Sequence, residues 1–189
     1  MAASGSIWPV RCFAGKPSSY GPLKQIDAGL LNVGYAESGP ADGPAVVLLH
    51  GWPYDIYSFA DVSAILAAKG YRVIVPFLRG YGTTRFLSGE TMRNAQQSVV
   101  ALDVIALMDA LKIQTATVSV GGYLISTPEG KAGYAKYTDQ FNKFIWHQAC
   151  NKFSGKYDYR LITGGVGHNL PQEAPQAFAQ AIIDAGGLA

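Results

Sequence analysis

The sequence predicts an α/β fold in which a mostly parallel central sheet is flanked by helices. Two features of the chain point there. Short continuous apolar runs, Ala45 to Leu49 and Tyr71 to Leu78, have the pattern of strands buried on both faces of a sheet. Between and after them, apolar residues recur at helical spacing over stretches long enough to connect parallel strands by crossovers.

Length and composition agree. At 189 residues and 49% hydrophobic, the chain has the size of one domain and enough apolar surface for a sizeable core. With only 15% charged residues it is not a disordered chain. Two cysteines, Cys12 and Cys150, make neither a disulfide scaffold nor a zinc cluster. A net charge of +2 with interspersed signs gives no field for nucleic acid or an acidic membrane. No apolar run approaches the roughly 18–20 residues that span a bilayer. The N-terminus lacks the charged and apolar regions of a signal peptide, so a soluble, cytoplasmic protein is expected.

The elements follow in order. Residues 1–22, rich in Gly, Ser and Pro, read as a flexible N-terminal arm, and residues 23–189 as a single domain. Leu31 to Glu37 reads as a strand, closed by the turn cluster Ser38-Gly39-Pro40-Ala41-Asp42-Gly43-Pro44. Ala45 to Leu49 is a buried strand. Phe59, Val62 and Leu66 repeat at helical spacing up to a C-capping Gly70. Tyr71 to Leu78 is the next strand, and a loop runs from Arg79 to about Met92. A helix over 93–113 presents Val100, Val104, Leu107, Met108 and Leu111 as one stripe. Ala116 to Val120 reads as a strand, residues 131–150 as an aromatic helical region, and Tyr157 to Thr163 as a last strand. Pro171 to Ala185 reads as a last helix.

In open α/β sheets the reactive groups lie beyond the carboxyl ends of the strands. Three turns leave strand ends in this chain: His50-Gly51-Trp52-Pro53, Ser119-Val120-Gly121-Gly122, and Gly164-Gly165-Val166-Gly167-His168-Asn169.

The turn His50-Gly51-Trp52-Pro53 after one strand, Arg79-Gly80-Tyr81-Gly82 after the next, and Gly167-His168 after the last resemble the α/β-hydrolase family. The resemblance is greatest to its epoxide hydrolase and haloalkane dehalogenase-like branch and covers most of residues 24–189. It implies a reduced α/β-hydrolase-like fold, with an oxyanion-hole N–H from Trp52 and a general base at His168. The usual elbow, Gly-x-Asp-Trp-Gly or its serine counterpart, is a sharp strand-to-helix turn that exposes the nucleophile. No Asp-Trp occurs in this sequence. The chain therefore looks like a shortened member, without the elbow strand and with only a residual cap region near 131–150.

Thr117-Val118-Ser119-Val120-Gly121-Gly122 carries small residues around a serine at the vacated elbow position, so Ser119 is the candidate nucleophile. An ordinary strand residue is the alternative. His168 would take the serine proton, its ordinary pKa of about 6.5 lying near working pH. Trp52 and Val120 would offer their N–H groups to the oxyanion. Tyr123 and Trp146 are the candidate substrate-binding residues. With Tyr134, Tyr137 and His147, Trp146 belongs to the reduced cap. His50 reads as structural, tying loops together. Asp55 and Arg79, both in strand-end loops, are candidates to orient one another, with a solvated or structural ion pair as the alternative. The triad acid is open between Glu129, Asp139 and Asp158.

The expected function is hydrolysis of small apolar esters or related substrates by a Ser/His mechanism, with no cofactor or metal implied. A catalytically inactive shortened hydrolase that binds a small ligand or partner is the other reading. Loss of a strand exposes sheet edges and apolar helix faces, which favours a homo-oligomer.

Overall fold

A computed structural model describes residues 19–120 and 169–186. Its sheet contains β1 (Lys24–Ala28), β2 (Leu31–Ser38), β3 (Ala45–Leu49), β4 (Arg72–Pro76), β5 (Arg85–Phe86) and β6 (Ala116–Val120). The order is β1-β2-β4-β3-β6, with β5 paired to β2. β2 is antiparallel to β1, β4 and β5, whereas β3 is parallel to β4 and β6. Among the described strands only β2 therefore runs against the common direction. The helices are a 3-10 turn over Ile56–Phe59, α1 (Ala60–Ala68), α2 (Gln97–Ala110), α3 (Leu170–Glu173) and α4 (Pro175–Gly186).

The apolar runs are continuous because helices cover both faces. Val46, Leu48, Val73 and Val75 pack with Phe59, Val62 and Leu66 and with Phe178 and Ile182 of α4. Val47, Leu49 and Ile74 point the other way, to Val104 and Leu107 of α2. The alternation is that of successive strand side chains. Burying each such side chain stabilises the fold by roughly 1.5–3 kcal/mol.

Both long helices on the amino-terminal side end in the same way. At α1 the Tyr71 N–H bonds the Leu66 carbonyl and Gly70 bonds Ala67, with Gly70 at φ 86°. At α2 the Ile113 N–H bonds Met108 and Lys112 bonds Asp109. Here Lys112, not a glycine, takes the left-handed conformation, at φ 57°.

Several boundaries differ from expectation. The strand expected over Tyr71 to Leu78 is Arg72–Pro76. The helix expected from 93 begins at Gln97, because the Asn94 carbonyl and side chain are engaged by Arg79. The last helix is two, α3 and α4, broken at Ala174 (φ −140°, ψ 58°). Pro175 forces this, since proline disfavours helical backbone in the residue before it. Strands β1 and β5 were not expected from the sequence.

Candidate functional site

Helix α1, which follows β3, lies on one face of the sheet, and α2, which follows β4, lies on the other. The adjacent strands β3 and β4 thus flank a topological switch point, where such sheets open a crevice beyond their carboxyl ends. The turn His50-Gly51-Trp52-Pro53 and the loop Phe77–Gly82 stand there. β6 ends at the same edge, its Val120 in register with Leu49.

His50 bridges the two strand ends. Its ring is buried, its Nε2 accepts the Leu78 N–H at 3.2 Å, and it meets Tyr81 edge-on with centroids 4.6 Å apart. Burial pushes the imidazole below its ordinary pKa, against the opposing pull of the Gly51 and Tyr54 backbone and the Asp55 charge. The Trp52–Pro53 peptide is cis, and Trp52 is 69% exposed.

Asp55 and Arg79 do not orient one another. Asp55 caps the 3-10 turn, its Oδ1 accepting the Tyr57 N–H at 2.9 Å. Arg79 turns to α2, donating from Nε and Nη2 to the two Asp103 carboxylate oxygens, each at 2.6 Å. Its Nη1 reaches the Asn94 carbonyl at 2.9 Å. An arginine fork matches a carboxylate in two parallel bonds, so the nearest acid on a rigid helix outcompetes one already satisfied as a cap. The sequence signal for this partner was one of the two acids of α2, Asp103, beside Val104 of the apolar stripe.

Thr84 closes the loop onto β2: its buried hydroxyl donates to the Phe77 carbonyl at 2.7 Å and accepts the Gly34 N–H at 3.0 Å. A small crevice between β2, β4 and α2 is lined by Leu31, Phe77, Arg79, Asp103 and Leu107, among others.

Ser119 lies inside β6, paired with Leu48 one residue before the strand ends. Among the described residues other than glycine, only Lys112 has a positive φ, so Ser119 carries ordinary strand backbone. Its neighbour Val118 packs with the α2-side core, which turns Ser119 to the opposite face. Tyr123, Trp146 and His168 lie outside the described residues, as do Glu129, Asp139, Asp158, Tyr134, Tyr137 and His147. Asn169, next to His168 in the chain, is buried and its N–H donates to Glu173 Oε1 at 3.1 Å. Leu170 shares a core with Ile56 and Phe59, which follow the Trp52 turn. Among the described residues no group of three His, Cys, Asp or Glu side chains is placed to hold a metal, and no helix is long and apolar enough to cross a membrane.

Residues 44–127 match the family model described as alpha/beta hydrolase fold. A Mycobacterium marinum haloalkane dehalogenase is 44% identical over 63 residues, 33% of this chain and 21% of that protein. An epoxide hydrolase of Caballeronia sordidicola is 31% identical over 96 residues, 51% of this chain and 29% of that protein. This chain spans less than a third of the length of these relatives. A Klebsiella pneumoniae structure assigned as an epoxide hydrolase superposes with a TM-score of 0.67 at 34% identity, over 87% of this chain and 97% of that one.

Proposed function

This chain belongs to the alpha/beta hydrolase fold family, and from that premise we propose that it hydrolyses small apolar esters or related electrophiles. The observation that carries this reading is the strand-end edge. The His50-Gly51-Trp52-Pro53 turn leaves β3 beside the end of β6, with Leu49 and Val120 in register. In this reading the N–H groups of Trp52 and Val120 receive the oxyanion, a contribution worth a few kcal/mol of barrier in acyl transfer. His168 removes the proton from the Ser119 hydroxyl as that oxygen attacks the ester carbonyl. The proton then passes to the departing alkoxide, and water releases the acyl group. Tyr123 and Trp146 line the apolar side of the substrate. The relatives named as epoxide hydrolases and haloalkane dehalogenases support a small electrophilic substrate.

A second reading is favoured by one observation. Ser119 is held in the β3–β6 ladder with ordinary strand backbone, whereas an elbow nucleophile stands on a sharp, strained turn. The chain would then bind a small ligand or a partner without turning it over.

Turnover of short-chain p-nitrophenyl esters and of styrene oxide separates the two. Ester hydrolysis that falls by about 10³-fold or more in both Ser119→Ala and His168→Ala supports the first reading. A folded protein without turnover, or with turnover that neither substitution changes, overturns it.

A further inference from the structure

The His50 side chain bridges the two strand ends at the switch point between β3 and β4. His50 leaves the end of β3, and its Nε2 accepts the backbone N–H of Leu78, beyond the end of β4, at 3.2 Å. The imidazole edge also rests on the Tyr81 ring in the same loop. A ring nitrogen that accepts from an N–H carries no proton itself, so the proton of the neutral ring sits on Nδ1. That Nδ1 is fully buried without a partner at full hydrogen-bond geometry among the described residues, while the Gly51 and Tyr54 backbone pulls toward a protonated ring.

We propose that His50 is a proton-sensitive latch: neutral, it holds the Trp52 turn against the Leu78–Tyr81 loop, and protonated at Nε2 it releases them. Protonation places an N–H against the Leu78 N–H, two donors with no acceptor between them. The latch then loses its hydrogen bond and the β4 loop is freed from the β3 turn. The loop has other anchors that do not titrate with the ring. Thr84 bonds Gly34 and Phe77, and Arg79 is turned away to Asp103 and Asn94. The ionisable groups facing the ring among the described residues are Tyr81 on the β4 loop and Asp55 after the β3 turn, while Gly51 and Tyr54 act through their backbone. Asp55 favours the protonated ring, but burial outweighs it, so the ring titrates below its ordinary value. The sign follows. The latch is closed above about pH 6.5 and opens as pH falls further, through the folded-state value. The inference concerns the strand ends and holds whether or not the Trp52 turn serves a reaction.

The test is nuclear magnetic resonance on the full chain. Imidazole nitrogen shifts of His50 at pH 7.5 are expected to show Nδ1 protonated and Nε2 bare. The Leu78 amide is expected to exchange slowly at that pH. Its protection should fall at least tenfold with the same midpoint as the His50 titration, while the Val75 amide stays protected. In His50→Gln, an amide oxygen replaces Nε2 as a non-titrating acceptor, so Leu78 protection should become independent of that titration. A proton on Nε2 at pH 7.5, or Leu78 protection that ignores the His50 titration in the unaltered chain, would overturn the latch.

Discussion

Arg79 and Asp103 stand 24 residues apart in sequence and face each other through two hydrogen bonds of 2.6 Å. The pair ties the loop after β4 to the middle of α2, and the arginine side chain is 2% exposed. Phe86 completes the cluster, with the Arg79 and Arg93 guanidinium carbons 5.7 and 3.9 Å from its ring centroid. Asp103→Ala leaves a buried guanidinium without its carboxylate and is expected to cost about 3–5 kcal/mol in urea unfolding. Arg79→Lys keeps the charge but loses the fork, so it should also destabilise, by less. A loss under about 1 kcal/mol for Asp103→Ala would contradict a structural role for the pair.

Thr84 satisfies a backbone donor in the middle of β2. Replacing it by the isosteric valine leaves the buried Gly34 N–H and the Phe77 carbonyl without their hydroxyl. The expected cost is about 2 kcal/mol, with most of the stability kept in Thr84→Ser. Equal behaviour of the two variants in denaturant titration would show that the hydroxyl is not the relevant group.

Lys112 holds a conformation that glycine adopts more readily. Lys112→Gly is expected to raise stability by about 0.5–1 kcal/mol, because the side chain at this exposed position opposes the left-handed backbone. The midpoint of thermal unfolding checks this; a lower midpoint refutes it.

Glu37 joins β2 to β1 and β4, accepting from Lys24 Nζ at 2.5 Å and Arg72 Nε at 2.7 Å. Burial alone would raise its carboxyl pKa, but the two cationic donors outweigh burial and hold it below the ordinary range. A lowered folded-state value means stability that is present above the unfolded value and lost as pH falls through the folded one. Glu37→Gln should therefore flatten the decline in stability below about pH 4.5. An unchanged acid limb in urea titrations from pH 6 to pH 3 would contradict it.

Much of the frame was legible in the sequence. Val46 to Leu49 and Val73 to Val75 are apolar without interruption because helices cover both faces, and that pattern survives without knowledge of any partner. β1 was not legible. Its residues Lys24 to Ala28 are mostly polar, since it lies at the outer end of the sheet order. The Asp103 partner of Arg79 was missed for a different reason. A salt bridge across 24 residues leaves no local periodicity, and Asp55, equally far along the chain on the other side, stood in a strand-end loop. The break at Pro175 was available from proline chemistry alone but was overridden by the apolar spacing of Ala174, Phe178 and Ile182. At the site, the sequence marked the His50 turn and the end of β6 but not the hydrogen bond to Leu78, whose backbone donor any residue would supply.

The most direct test of the proposed chemistry is fluorophosphonate labelling of the purified chain, mapped by mass spectrometry, on a sample that melts cooperatively. The Ser/His account predicts an adduct on Ser119 that disappears in His168→Ala. A cooperatively folded sample with no adduct on Ser119 would contradict it.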